Sequence, residues 1–303
     1  MECVLVRGVE YVIDTVDRCD IDTLVGLFND AYSHYYVETT VTPDRLLGLV
    51  EREDISVSDS FVAYSEGLAV GVVFLGIRGD RGYICGMGVR SSYQGRGLGE
   101  ALMRAALVRA SQLGLASLQL EVVEQNHRAR ALYSKLGFRV TRTLGVWARD
   151  HPAPAMPETK ACAVWVRGES PHDALLLVDT YEDSRPCWQN EVQSLGKMAS
   201  RLEAKIAWSG RRKVGYILYR NTPQGLLVAD FGVVPSTERE AIGEMLMYAV
   251  DCEAASGLAR GAASGTARAY NFPVGGYQEQ VLRARGFELT LVQQEMVLCL
   301  RPL

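Results

Sequence analysis

The chain has no run of about 18 consecutive apolar residues, so nothing in it reads as a membrane-spanning helix. Its opening Met-Glu-Cys-Val-Leu-Val-Arg has neither the basic stretch nor the long apolar core of a secretory signal. Seven cysteines, an odd number without a C-x-x-C pair, argue against a disulfide framework and for reduced thiols in a cytoplasmic setting. The four histidines, His34, His127, His151 and His172, share no ligand spacing with one another or with the cysteines, so no metal is expected. No serine sits in a G-x-S-x-G turn, which argues against a hydrolase triad. A net charge of −4 gives no surplus of positive charge with which to hold nucleic acid.

What is present is enough for two buried cores: 303 residues, 48% hydrophobic and 22% charged. The most informative stretch is Q-G-R-G-L-G, Gln94–Gly99, which follows the strand-like run Tyr83–Arg90 and opens a helical pattern over Leu98–Leu113. Strand, glycine loop and helix N-terminus together make an anion trap, because first-turn amides lack intrahelical partners and the helix dipole is positive there. Gly95, Gly97 and Gly99 let the backbone approach a ligand, and Arg96 adds a fixed charge. The loop is not a Walker A motif, since Glu100 and Ala101 follow Gly99. Nor is it the dinucleotide fingerprint, since the spacing is G-x-G-x-G.

A second element lies downstream. Leu118–Val123 alternates as a strand, and Asn126–Leu136 then carries Ala129, Leu132, Tyr133 and Leu136 at helical spacing, with Gly137 as a C-terminal cap. Gln94, Gly97 and Gly99 fill the pattern [RQ]-x-x-G-x-[GA], and Asn126, Ala129, Tyr133, Gly137 and Phe138 fill N-x-x-A-x-x-x-Y-x-x-x-G-F. In this order and separation the two motifs resemble those of the GNAT superfamily of acyl-CoA-dependent N-acetyltransferases. The resemblance implies acetyl-CoA as cosubstrate and direct transfer to an amine within a ternary complex. It places the pyrophosphate on Gln94, Gly95, Arg96, Gly97, Leu98 and Gly99. Met87, Gly88 and Val89 would border the pantetheine, beside a bulge that Gly86 and Gly88 permit, with Asn126 on the arm or an ordered water. Tyr133 would protonate the departing thiolate. Taken alone, Tyr133 also reads as a core aromatic beside Leu132 and Leu136, and Cys85 as a small buried apolar side chain.

Around these motifs the pattern is α+β. A short strand at Tyr11–Asp14 precedes a helix capped by Asp20 or Asp22, then a helix started by Pro43 and Asp44. Strands Phe61–Ser65 and Leu68–Gly76 join through Glu66-Gly67. Past Phe138 a weak strand pattern over Val140–Ala148 leads to a proline-rich connector, His151–Pro157; Ala161–Arg167 either closes the first sheet or opens a second.

The second half repeats the first. Gly232–Met247 aligns without gaps to Gly88–Met103, preceded by strands at Glu203–Trp208, Lys213–Tyr219 and Leu226–Phe231. The chemistry is not repeated, because Glu238, Arg239, Glu240 and Ala241 replace Gln94, Gly95, Arg96 and Gly97, and Leu282 replaces Tyr133. The expectation is two tandem GNAT-like domains, each a mixed, mostly antiparallel sheet flanked by helices. Residues 1–155 would be the catalytic copy and 160–303 the degenerate one, an arrangement that resembles mycothiol synthase-like proteins.

The expected activity is acetyl transfer from acetyl-CoA to a primary amine of a small molecule, by a monomer or homodimer without nucleic-acid or membrane partners. Acetylation of a protein or peptide amine, and a non-catalytic acyl-CoA-binding regulatory module, are the alternatives. Glu121 and Glu38 are candidate general bases. Tyr32, His34, Tyr35 and Tyr36 are a candidate acceptor wall.

Overall fold

The computed structural model describes the chain except for residues 1, 34, 37–39, 156–163, 182–184, 259–265 and 301–303, and gives only the backbone of 256–258. The chain forms two compact units, Met1–Thr141 with Gln294–Leu303, and Arg142–Gln293.

The first unit opens with a hairpin, β1 (Glu2–Val6) and β2 (Val9–Thr15), turned by Arg7 and Gly8. Helix α1 (Ile21–Ala31) starts where the Asp20 carboxylate accepts the Thr23 amide at 2.8 Å. Helix α2 (Pro43–Arg52) starts on Pro43 behind Thr42. Strands β3 (Phe61–Ser65), β4 (Leu68–Arg78) and β5 (Arg81–Val89) form an antiparallel meander. Helix α3 (Leu98–Gln112) then crosses to β6 (Ser117–Val123), which runs parallel to β5, and α4 (His127–Lys135) leads into β7 (Arg139–Arg149).

The strand alternation assigns the two faces of this sheet. Leu98, Leu102, Ala106 and Ala110 form an i, i+4 stripe on α3 that packs on Val73, Leu75, Leu118 and Leu120. On the opposite face Leu24, Leu27 and Phe28 of α1 cover Val72 and Phe74. Each fully buried leucine contributes roughly 1.5–3 kcal/mol relative to exposure, so the α3 stripe alone fixes which helix lies behind the glycine loop.

The second unit contains β8 (Val164–Glu169), the short helices α5 (Pro171–Leu175), α6 (Val178–Tyr181) and α7 (Val192–Lys197), and the meander β9 (Glu203–Ser209), β10 (Arg212–Thr222) and β11 (Gly225–Val233). Helix α8 (Arg239–Leu258), strand β12 (Ala267–Pro273), helix α9 (Tyr277–Ala284) and strand β13 (Glu288–Cys299) complete it. Its strands lie in the order β7-β12-β11-β10-β9-β8. Strand β8 pairs with β9, so the Ala161–Arg167 pattern opens the second sheet where it is described, from Val164 onward.

Packing divides the chain elsewhere than the connector does. From Arg142 onward β7 belongs to the second unit, where it pairs with β12 and buries Trp147 in that core. From Gln294 onward β13 belongs to the first, where Met296, Leu298 and Leu300 join the core around Phe138. The connector itself is pinned within the second unit. Arg285 donates to the Pro154 and Ala155 carbonyls at 3.0 Å, and Asp251 binds both Arg285 at 2.8 Å and Arg149 at 2.6 Å.

Candidate active site

The site begins as a break in strand pairing. Phe74 faces Gly86 but Leu75 faces Ile84, so Cys85 is an extra residue, a bulge immediately before Gly86. Strand β6 pairs with β5 over Arg81–Tyr83 alone, and beyond that point the two parallel strands splay. The Arg90 amide donates to the Val70 carbonyl at 2.9 Å, so Gly88 and Gly86 send their backbone groups toward β4. By the same alternation Met87 and Val89 send theirs into the splay. The Met87 carbonyl there accepts the Tyr32 hydroxyl at 3.3 Å, and the Val89 carbonyl accepts Gln94 Nε2 at 3.1 Å. Their amides face the gap without a protein acceptor among the described residues.

The glycine loop closes one end of the gap. Gly95 and Gly97 have φ of 80° and 92°, left-handed values that favour glycine, and Gly97 caps α3. The amides of Gly95, Arg96, Gly97, Leu98 and Gly99 donate to no acceptor among the described residues. Four of these residues, Gly95, Gly97, Leu98 and Gly99, line a cavity of about 400 Å³ together with Met87, Gly88, Val89, Gln94, Asn126 and Tyr133. Arg96 stands just outside it, its guanidinium 5.3 Å from the Tyr93 ring that lines the same cavity. Glu100 also lines it, but Arg104 at 2.9 Å and Lys135 at 2.6 Å neutralise that carboxylate and hold its pKa low. The donor set therefore fits a pyrophosphate.

Two arginines of this cavity escaped the sequence reading. Arg7 lies at the β1–β2 turn and its Nη1 donates to the Gly95 carbonyl at 3.2 Å. Arg128 lies in the first turn of α4 and its Nη2 stands 3.6 Å from where a Gly95 Cβ would be. Arg-Gly is not among the pairs that mark a two-residue hairpin turn, and nothing local ties positions 7–8 to a loop 88 residues away.

The far end of the cavity is formed by α4 and the end of α1. Asn126 caps α4 by accepting the Ala129 amide at 3.1 Å, and its side chain faces the Tyr35 hydroxyl. Tyr133 is buried against Phe138, yet its hydroxyl opens on the cavity and bonds to no described residue. Burial, with the Tyr35 phenol beside it, pushes the Tyr133 pKa well up and keeps the hydroxyl protonated. Tyr32 and Tyr35 stack edge to face at 4.9 Å and line the cavity. Tyr36 donates to the Gln125 carbonyl at 3.0 Å. His34 and Glu38 lie outside the described residues. Glu121 accepts the Tyr83 hydroxyl and is not among the cavity's lining residues. The described residues hold no cluster of side chains suited to a metal ion, and none of their helices is long and apolar enough to cross a membrane.

The second unit repeats the scaffold 144 residues further on, counted from Gly88 to Gly232. Leu218 faces Asp230 and Tyr219 faces Val228, so Ala229 is the bulged residue in the place of Cys85. Strands β11 and β12 pair over Leu226–Val228 and then part. Here the gap is filled from within. The Val233 amide, equivalent to that of Val89, donates to the Tyr277 hydroxyl at 3.1 Å. The Phe231 carbonyl, equivalent to that of Met87, accepts Gln278 Nε2 at 2.7 Å. Arg239, in the place of Gly95, lies buried with its guanidinium 3.6 Å from the Tyr277 ring centroid. A Cβ on Gly243 would stand 2.7 Å from Val281, and Leu282, in the place of Tyr133, is fully buried.

A bulged strand splayed from its parallel neighbour and running into a helix N-terminus, present twice, defines the N-acyltransferase fold. Residues 23–138 match the family model described as "Acetyltransferase (GNAT) family". The mycothiol acetyltransferase of Propionibacterium freudenreichii subsp. shermanii is 27% identical over 139 residues, 44% of this chain and 45% of the relative. The chain spans less than half the length of the curated relatives it matches. The GCN5-related N-acetyltransferase from Sphaerobacter thermophilus superposes with a TM-score of 0.74 at 17% identity, covering 96% of both chains. A tandem GNAT protein from the clavulanic acid biosynthesis pathway superposes with a TM-score of 0.72 at 16% identity, over 97% of this chain and 99% of that one. Residues 23–138 thus match the GNAT family model, and over nearly its whole length the chain has the fold of tandem GNAT proteins.

Proposed function

We propose that the first unit transfers an acetyl group from acetyl-CoA to a primary amine of a small molecule. One observation carries this reading: the four free loop amides of Gly95, Gly97, Leu98 and Gly99, the two free amides of β5 and the Tyr133 hydroxyl all serve a single cavity of about 400 Å³. Gly95 to Gly99 bind the pyrophosphate. The Met87 and Val89 amides hold the extended arm as a strand would be held and fix the thioester carbonyl. Asn126 orients the far end of that arm.

The acceptor nitrogen attacks the thioester carbonyl carbon, the carbon–sulfur bond breaks, and the sulfur takes the Tyr133 proton, which solvent then replaces. Burial raises the phenol pKa, which makes Tyr133 a weaker acid. The same dry surroundings raise the proton affinity of the leaving thiolate, so the two stay matched. The proton lost by the amine passes to water; Glu121 accepts the Tyr83 hydroxyl and does not line the cavity. The second unit holds no acyl-CoA, since Tyr277 and Gln278 already occupy the β11 groups that such a ligand would need.

The test is acceptor-dependent thiol release from acetyl-CoA across a panel of small amines and N-terminal peptides, with the wild type and Tyr133→Phe. We expect release with small amines and a fall in kcat of about 10²–10⁴-fold in the variant with KM for acetyl-CoA little changed. Release with peptides alone would move the acceptor to a protein amine. CoA binding without release from any amine would make the chain a regulatory module.

A further inference from the structure

The charge around the glycine loop exceeds what a pyrophosphate needs. Arg7, Arg96 and Arg128 surround it, and among the described residues none of the three is paired with a carboxylate. The α3 N-terminus adds a further fractional positive charge of about one half. A pyrophosphate diester brings two negative charges, so an additional phosphomonoester, carrying roughly −1.5 to −2 at neutral pH, balances the site.

The turn that carries Arg7 points the same way. Val6 pairs with Val9, leaving a two-residue turn with Arg7 at φ 49° and Gly8 at φ 83°. Such turns favour asparagine, aspartate or glycine at the first position, because a larger side chain is strained there. An arginine in that place is a conformational cost without local return. Its side chain, however, reaches the loop: a Cβ on Gly97 would stand 3.6 Å from Arg7 Nε, and Nη1 holds the Gly95 carbonyl. Arg128 flanks the loop at Gly95 from α4.

We propose that Arg7, presented by the β1–β2 hairpin, forms with Arg128 a second phosphate subsite that selects ligands bearing a phosphomonoester in addition to the pyrophosphate. The inference rests on the acyl-CoA reading of the cavity and extends it to the 3′-phosphate of CoA. It makes the N-terminal hairpin part of the ligand site.

Calorimetric titration of the full chain with CoA and with 3′-dephospho-CoA tests it, in the wild type and in Arg7→Asn. Asparagine suits the turn better than arginine, so this variant removes the guanidinium without endangering the hairpin. We expect the wild type to prefer CoA by about tenfold or more, the scale of one charge-assisted hydrogen bond. In Arg7→Asn the preference should collapse toward one while affinity for 3′-dephospho-CoA stays within about twofold of the wild type. Equal affinity of the wild type for both ligands would overturn the subsite. So would an equal loss for both ligands in the variant, which would reduce Arg7 to a brace for the loop. If neither ligand binds the wild type, the acyl-CoA reading itself falls, and the subsite with it.

Discussion

The two gaps between splayed strands should differ in hydrogen exchange before any ligand is added. The Val233 amide is bonded at 3.1 Å to a Tyr277 hydroxyl in a buried setting, whereas the equivalent Val89 amide has no protein acceptor. A buried amide deprived of its acceptor loses about 1–3 kcal/mol, so the two should differ in protection by about 5- to 150-fold. CoA at about a hundred times its dissociation constant stabilises what it binds by about 2.7 kcal/mol, roughly a hundredfold in exchange. That protection should fall on Met87, Val89 and Gly95–Gly99, and leave Phe231, Val233 and residues 238–243 unchanged. Tyr277→Phe should raise Val233 exchange to the rate of Val89 and destabilise the second unit by about 1–3 kcal/mol, without altering the response of the first. Amide exchange followed by NMR or by overlapping peptides reads all of these. CoA-dependent protection in the second unit, or two CoA molecules per chain in a titration, would refute the reasoning.

Two further outcomes follow from local geometry. Gly97→Ala places a side chain at φ 92° with its Cβ 3.0 Å from Val6, and should cost about 1–2 kcal/mol of stability and weaken CoA binding; a melt and titration indistinguishable from wild type would contradict this. Asp230 lies buried with its pKa raised to about 7 by burial, although the Tyr216 hydroxyl at 2.6 Å favours the carboxylate. The folded protein thus holds this proton more tightly than the unfolded chain, so the stability Asp230 contributes is fullest below about pH 4 and is lost as pH rises through about 7, on the order of a few kcal/mol. Asp230→Asn removes that slope, and its melting temperature should gain on the wild type between pH 4.5 and 8; parallel profiles would show that Asp230 is not the group responsible.

Much of the site was legible because its chemistry is local. A strand, three glycines and a helix start within one short stretch fix where amides point, and the spacing of Asn126, Tyr133 and Gly137 is fixed by a single helix. Local order also carried the repeat, since Gly232–Met247 keeps the apolar pattern of Gly88–Met103 and the structure repeats even the bulge, at Cys85 and Ala229. The short helices α5, α6 and α7 escaped because four to six residues are too few for a helical period to register. Strand β1 escaped likewise, and with it the significance of Arg7.

The sequence by itself determined the loop, the helix behind it, the catalytic candidate Tyr133 and the loss of glycines from the second copy. It did so because each is set by neighbours a few residues apart. The tertiary structure decided which groups meet across long separations. It brought Arg7 to Gly95 and Tyr32 to Met87, and sent residues from Gln294 onward back to the core around Phe138. It also filled the gap of the second copy from within. Tyr277 and Gln278 close it, and their contacts with β11 cross more than 40 residues of chain. Such contacts depend on how helices seat on a sheet, and that seating is settled by packing of the whole core rather than by any local pattern.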